Sequence, residues 1–168
     1  ENLNLFASSR QINIRDIGGA FYGLDPEIAW NYGLSVLQKL RLANRPFELS
    51  FDLYRTDFVN HVVVDWEVPQ AIGFYNKTNE SWTQSYQIEA SYSPAEYLDL
   101  RAAYKYFDIN TAFDSGDDRP PLTPEHRVFA NASYQTHAMS TGGHWKIDAT
   151  INWLSAQRYP EFDPDSDL

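Results

Sequence analysis

The sequence predicts an all-β chain made of antiparallel, up-and-down strands of a large transmembrane β-barrel, with about seven strands present and the barrel incomplete. Three observations support this fold class. Large apolar and polar residues alternate from Trp82 to Tyr92, which is the pattern of a strand with two different faces. The aromatic residues Trp82 and Tyr92 lie at the two ends of that segment. In a tilted strand their separation corresponds to about 25 Å along the barrel axis, the height of an outer-membrane apolar band. The connections between strands alternate between long and short, as in bacterial outer-membrane barrels.

The strands follow from the same alternation, taken along the chain. A one-residue change of apolar parity inside the third segment predicts a β-bulge near residues 55–57. Short breaks are expected at residues 43–46 and at Ser93-Pro94-Ala95-Glu96, and a loop rich in Asp, Gly and Pro is expected at residues 108–124. The predicted strands cover residues 3–10, 30–40, 47–66, 82–92, 98–106, 128–134 and 145–153.

Charge placement separates the two faces of the four most regular strands. Their apolar register holds 20 positions without a charge, whereas the opposite register holds six charges in 16 positions. A cation at the bilayer midplane costs about 2 to 4 kcal/mol, and a water-filled lumen tolerates charge. The residues predicted to face lipid are Trp82, Tyr86, Ile88, Tyr92, Leu98, Leu100, Tyr104, Trp145, Ile147, Ile151 and Trp153. The residues predicted to face the lumen are Glu89, Asp99, Arg101, Lys105, Lys146 and Asp148.

Composition excludes several classes of function. The formal charge of −10 over 168 residues argues against a nucleic-acid partner, because phosphate neutralisation needs clustered Lys and Arg. The chain has no cysteine, so it offers neither disulfides nor a thiolate metal site. No apolar run approaches 18 residues, so no transmembrane helix is expected. The first residues begin within a strand pattern without a signal peptide, and both termini are expected to be cut points of a longer protein.

No residue pattern indicates catalysis, so we expect neither an enzyme nor a cofactor. The four histidines lack metal-ligand spacing, and no serine or carboxylate lies in a nucleophile-elbow or phosphate-loop context. Two acidic segments, residues 114–118 and 163–167, carry enough carboxylates for Ca²⁺ but lack the glycine and bidentate glutamate of an EF-hand loop. We therefore expect solvated loop acids and no metal site there.

Several short segments resemble the barrels of TonB-dependent outer-membrane receptors. They occur in the order and spacing of that family and cover most of the chain from Leu24 to Pro160. The segments are LDPE (24–27) with WNYG (30–33), DLYRTDFVN (52–60) with VVVD (62–65), FYN (74–76), QIEASYSP (87–94), AAYKY (102–106), PEHR (124–127) and WLSAQRYP (153–160).

The resemblance implies a role in transport. A chain of this family would be an internal piece of the C-terminal half of a barrel of about 22 strands, with residues 1–168 as part of the barrel domain and with the plug and the final strands absent. The expected partners are outer-membrane lipid, the TonB complex acting through the missing plug, and a scarce small-molecule or oligosaccharide ligand. The expected location is the bacterial outer membrane.

Ligand capture would fall on the loops at the outer side of such a barrel. Aromatic and arginine side chains anchor ligands best, and the candidates are Trp66, Asn76, Arg119, Arg158 and Tyr159. Trp66 and Tyr159 fit equally well as girdle or loop-packing residues.

Two other functions remain open on the sequence. A soluble carbohydrate-binding or adhesive β-sandwich would pack the same apolar face on a second sheet and leave its polar face in water. A β-sandwich hydrolase is less favoured, because no nucleophile or metal cluster is evident. Burial of Tyr86, Ile88, Leu100 and Ile151 under a second protein layer would favour the sandwich.

Overall fold

The computed structural model describes residues 11–14, 23–65, 71–78, 80–111, 113, 119–139 and 142–159. These residues form a single sheet. Its eight strands are β1 (Gln11–Ile14), β2 (Ile28–Leu42), β3 (Arg45–Asp65), β4 (Ala71–Thr78), β5 (Trp82–Ala95), β6 (Leu98–Asn110), β7 (His126–Gln135) and β8 (Lys146–Leu154).

The 21-residue strand β3 organises the sheet. One edge of β3 pairs with β2, and the other edge pairs first with β5 and then, from Asn60 to Asp65, with β4. From β5 the sheet continues through β6 and β7 to β8, each strand antiparallel to the one before. The short β1 pairs in parallel with β4. The predicted antiparallel, up-and-down, incomplete barrel sheet is confirmed as one open sheet.

The strand assignment from sequence differs from the structure in two places. Six of the seven predicted segments correspond to β2, β3, β5, β6, β7 and β8, and the seventh, residues 3–10, lies outside the described residues. The structure adds β1 and β4. On sequence pattern alone, residues 74–76 resemble a connection into β5. In the structure they belong to β4 and pair with β3, and this pairing leaves no local pattern in the sequence.

The tight turn between β2 and β3 has the geometry that a two-residue hairpin needs. Ala43 and Asn44 both have positive φ angles, 48° and 62°, and type I′ turns require positive φ at both central positions. These turns match the right-handed twist of the flanking strands. The predicted break at residues 43–46 is therefore a turn of two residues, with pairing resumed at Leu42 and Arg45.

The break predicted at Ser93-Pro94-Ala95-Glu96 is shorter than expected. Strand β5 runs on to Ala95, and the register with β6 shifts between Tyr92 and Ala95. A register irregularity accommodates Pro94, which has no N–H to donate to the ladder. The turn itself is Glu96 and Tyr97, with Tyr97 at a φ of 69°.

The bulge predicted near residues 55–57 lies a few residues further along β3. Ala29 pairs with Phe58 while Ile28 pairs with Asn60, so Val59 is the extra residue. The apolar side chains of β3 show that the parity changes, but the position of the extra residue depends on where β2 pairs, which parity alone does not give.

The described strands leave both faces of the sheet uncovered along β2 and β5–β8, and no second sheet packs on the apolar face within the described ranges. Ile151, Ile88 and Leu100 are 68%, 43% and 38% exposed. A small buried cluster is formed by Val63, Tyr75 and Phe113. It lies where the last residues of β3 pair with β4. Within the described part of the chain, no helix is long and apolar enough to cross a membrane.

Candidate functional site

One apolar face runs without interruption across six strands. The strand registers place residues of the same row directly opposite one another, and opposed residues point to the same face. The row through Ile88 continues as Val36, Phe51, Ile88, Tyr104, Val128 and Trp153. The row nearer the tight turns continues as Leu40, Phe47, Tyr92, Leu100, Ala132 and Ala149. The residues predicted to face lipid lie on this face, including Trp145, which precedes β8 by one residue and shares the parity of Ile147.

The two ends of the sheet differ in their connections. At the turn end, β2–β3 and β5–β6 are joined by two residues each, and β7–β8 by residues 136–145. At the long-loop end, residues 15–27 and 111–125 connect β1–β2 and β6–β7, and β3 extends beyond its pairing with β5 to meet β4. The predicted alternation therefore holds for the two-residue turns and for the connections at residues 15–27 and 111–125. It does not hold for β7–β8, because residues 136–145 form a longer connection than residues 66–70 between β3 and β4.

The apolar face ends at the long-loop end in a row of polar and aromatic residues. Arg55 donates from Nε to Asp57 Oδ1 at 2.9 Å and lies 2.8 Å from the same oxygen through Nη2. Tyr32 donates its hydroxyl to Asp57 Oδ2 at 2.5 Å. The guanidinium of Arg55 also lies 4.8 Å from the ring centroid of Trp82. Aromatic and snorkelling basic side chains are typical of the edge of a hydrocarbon layer.

The opposite face of the sheet carries cross-strand polar pairs. Arg101 donates from Nε to Glu89 Oε1 at 2.8 Å, and Lys39 lies 3.0 Å from Glu48. Asn131 donates to Thr150 Oγ1 at 2.8 Å. The residues predicted to face the lumen, Glu89, Asp99, Arg101, Lys105, Lys146 and Asp148, share this polar face.

An open depression of about 430 Å³ lies on the apolar face where four strands carry alanine. Its floor is formed by Ala90, Ala102, Ala130, Ala132 and Ala149. Tyr92, Leu100 and Ile151 stand at its sides. The small side chains leave this space because alanine fills only part of the height of its larger neighbours.

Among the predicted ligand-binding residues, Asn76 is part of a structural clasp at the long-loop end. Its side-chain Oδ1 accepts the backbone N–H of Asp25 at 2.9 Å, and its Nδ2 donates to Asp25 O at 3.0 Å and Asn60 Oδ1 at 3.1 Å. Asn60 in turn donates to Pro26 O at 2.7 Å. The Asn76 amide therefore ties the start of β2 to β3 and β4.

His61 lies beside this clasp, on the extension of β3 beyond its pairing with β5. Its ring stacks on Phe58 with centroids 4.2 Å apart, and its Nε2 is 3.8 Å from Glu27 Oε2. Burial lowers the pKa of His61, and the charge of Glu27 acts in the opposite direction. The imidazole therefore tends to remain neutral and serves as part of the packing.

Arg119, Arg158 and Tyr159 come together where two segments meet at the long-loop end. Arg158 donates from Nη2 to Arg119 O at 2.7 Å, and the backbone N–H of Leu122 donates to Arg158 O at 2.8 Å. Arg119 is ion-paired with Glu125 at 2.5 Å. The side chain of Tyr159 is 79% exposed. Trp66 lies outside the described residues.

Sequence reasoning missed one arrangement on the polar face. Lys105 on β6 and Arg127 on β7 are directly opposed, and both cations lie over the ring of Phe107. The sequence pattern assigns Lys105 to the lumen side without Arg127. The two residues become partners only through the register across the 111–125 connection, which no local pattern gives.

Metal ligands do not cluster in the part of the chain that the structure describes: no group of three or more His, Cys, Asp or Glu residues could hold an ion there. The two acidic segments, residues 114–118 and 163–167, lie outside that part.

Comparison with known proteins gives a match to one family. The sequence model described as "TonB dependent receptor-like, beta-barrel" matches residues 1–167, which is nearly the whole chain. Searches of curated proteins and of solved structures found no match. The match agrees with the open antiparallel sheet and its two contrasting faces. The chain therefore belongs to the TonB-dependent receptor-like β-barrel family, a family of outer-membrane receptors and transporters.

Proposed function

We propose that this chain is part of the barrel of a receptor that binds a scarce extracellular ligand and imports it with energy supplied by TonB. Family membership supports outer-membrane transport in general. The observation that carries the proposal is the uncovered apolar face, which runs through six strands with a polar face behind it. In this proposal, the TonB complex acts through a plug domain that lies outside this chain.

In this arrangement the apolar face meets lipid and the polar face lines an aqueous interior. The exposed Ile151 and Ile88 would lose contact with water in a bilayer, which is favourable for apolar side chains. The Arg101–Glu89 and Lys39–Glu48 pairs lie on the other side, where water solvates them. The Arg55–Asp57 pair then marks the outer edge of the hydrocarbon layer.

Ligand capture falls at the long-loop end of the sheet. Tyr159 is the candidate with the most accessible side chain among the described ones, and Arg119 and Arg158 hold the neighbouring segments in place around it. Asn76 belongs to the same end and fixes the local backbone there. Trp66 follows β3 directly in the sequence and remains a candidate. A large ligand arriving from outside would meet this end first.

Membrane insertion is tested by fractionation of the full-length protein. Extraction from membranes only with detergent, together with a different gel mobility before and after boiling, is the expected result for a closed barrel. A protein that is soluble in buffer alone and migrates identically with and without boiling would contradict the proposal and favour the sandwich fold.

Transport is tested by uptake in cells that express the full-length receptor. Radiolabelled ferric siderophores, cobalamin and oligosaccharides serve as the probe panel. We expect uptake of one class in cells with functional TonB and loss of that uptake in cells without it. Equal uptake in both strains would contradict energy coupling, and the plug-deleted receptor serves as the negative control.

A further inference from the structure

The polar face contains two opposed cations without a carboxylate partner among the described residues. Lys105 on β6 and Arg127 on β7 occupy the same row. Like charges directly opposite on neighbouring strands destabilise a sheet. The chain carries 23 acidic and only 13 basic residues. Two directly opposed cations are therefore less expected from composition than a cation opposite a carboxylate. No ion pair with a described carboxylate offsets this repulsion.

Two carboxylates on the same face are already paired with other cations. Glu89 accepts Arg101 at 2.7 Å, and Glu125, which lies across from Phe107, accepts Arg119 at 2.5 Å. Two other cations on this face have carboxylate partners: Lys39 pairs with Glu48, and Lys146 lies 3.7 Å from Asp148. Neither of these two carboxylates is therefore left to pair with Lys105 or Arg127.

Phe107 holds the two cations in place without neutralising them. The Lys105 Nζ lies 4.5 Å and the Arg127 Cζ lies 5.0 Å from the ring centroid of Phe107. A cation–π contact is worth about 0.5 to 1 kcal/mol at an exposed site, and it leaves the charge on each side chain intact. Two opposed cations beside one ring offer charge-assisted hydrogen bonds to an anion.

The site lies toward the end from which a ligand would arrive. Arg127 is the second residue of β7, and it follows the 111–125 connection at the long-loop end. We propose that Lys105 and Arg127 together bind one anionic group, a carboxylate or a phosphate, of the ligand that the receptor imports. This inference rests on the proposed function and specifies the chemical class of the ligand.

The test measures anion binding by the full-length receptor purified in a nonionic detergent. Calorimetric titration uses pyrophosphate and citrate at low ionic strength, and these two probes separate phosphate from carboxylate recognition. We expect saturable binding of at least one probe, and a loss of at least about tenfold in affinity in the variant Lys105→Gln/Arg127→Gln. Added salt should weaken binding, because the attraction is electrostatic.

The matched control is Lys146→Gln, which removes a cation of the same face that already has a carboxylate partner. This variant should bind within about twofold of the wild type. The single variants Lys105→Gln and Arg127→Gln replace the double variant if that one fails to show the mobility shift of a folded barrel, and each should weaken binding. Arg127→Lys retains the charge and should retain most of the affinity.

Absence of binding by the wild type, or equal binding by wild type and double variant, would overturn the inference. A plug carboxylate that already neutralises the pair would give the first of these results. Because binding is measured in detergent, such an outcome leaves membrane insertion and TonB-dependent uptake intact. Conversely, a receptor that binds the anion but shows no TonB-dependent uptake would contradict the proposed function alone.

Discussion

The ring of Tyr54 on β3 lies directly over Gly33 on β2, its cross-strand partner. A Cβ at Gly33 would clash with Cδ1 of that ring and would come within 2.6 Å of the carbonyl oxygen of Leu53. The hydroxyl of Tyr54 lies 3.0 Å from Ser35 Oγ, which itself donates to Asp52 at 2.5 Å. The missing side chain at Gly33 therefore lets an aromatic ring cover the strand pair and join the polar network.

Gly33→Ala should destabilise the barrel. The backbone carbonyl of Leu53 cannot move aside as a flexible side chain could, so the β2–β3 pair must shift. Overpacking of this kind typically costs about 1 to 3 kcal/mol. The effect is measured as the free energy of unfolding from lipid vesicles in urea. The gel mobility of unboiled samples reports the folded fraction at each urea concentration. Gly143→Ala is the matched control, because its Cβ would meet only Met139 Cε at 3.9 Å. Equal stability of the two variants would contradict the packing argument.

Ala102 and Ala103 test which face of the sheet meets lipid. They are neighbours on β6, yet Ala102 lies between Ala90 and Ala130 on the apolar face. Ala103 lies between Glu89 and Phe129 on the polar face. Arginine at the bilayer midplane costs about 2 to 4 kcal/mol, whereas a lumen position tolerates it.

Ala102→Arg should therefore lower the unfolding free energy by about that amount, while Ala103→Arg should change it little. The same urea titration in vesicles gives both values, and each variant is the control of the other. If the two variants lose equal stability, or if Ala103→Arg loses more, the assignment of the faces is wrong.

The alternation of residues shows which side chains share a face, because side-chain direction in a strand depends only on parity. Ile88 and Glu89 are therefore assigned to opposite faces without knowledge of any partner strand. The bulge at Val59 and the pairing of β4 with β3 were not predicted at their true positions, because both depend on which distant residues come into register.

The role of Asn76 shows the same limit within the candidate site. An asparagine near the end of a strand is compatible with ligand binding, with a turn and with a clasp. Its hydrogen-bond partner Asp25 lies 51 residues away in sequence, so local pattern gives no information about the contact. Likewise, parity groups Lys105 with Arg101 on one face, but its position opposite Arg127 depends on the register across a long connection.

Asn76→Ala should release the start of β2 from the extension of β3 and β4. The change removes hydrogen bonds to both the N–H and the carbonyl of Asp25 and leaves Asn60 Oδ1 without this donor. An unsatisfied polar group in such a position costs about 1 to 3 kcal/mol. Hydrogen exchange of residues 24–28 should become faster, and limited proteolysis should cut this segment.

Asn152→Ala provides the comparison, since Asn152 is an exposed residue of the polar face far from the clasp. Its exchange and proteolysis patterns should match those of the wild type. Unchanged exchange at residues 24–28 in Asn76→Ala would show that other contacts, such as that of Asn60 with Pro26, hold the segment alone.

The Arg55–Asp57 pair should respond asymmetrically to removal of its two members. In Arg55→Ala, Asp57 keeps the hydroxyl of Tyr32 as a hydrogen-bond donor, and its negative charge remains at the edge of the apolar face. In Asp57→Ala, the long side chain of Arg55 still reaches Trp82 and can extend toward water. We therefore expect Arg55→Ala to lower the unfolding free energy more than Asp57→Ala does.

The double variant Arg55→Ala/Asp57→Ala should lose less unfolding free energy than the sum of the two single variants, because both single variants break the same contact. Urea titration of the four proteins in vesicles completes this cycle, and strictly additive losses would mean that the two side chains act independently at this boundary.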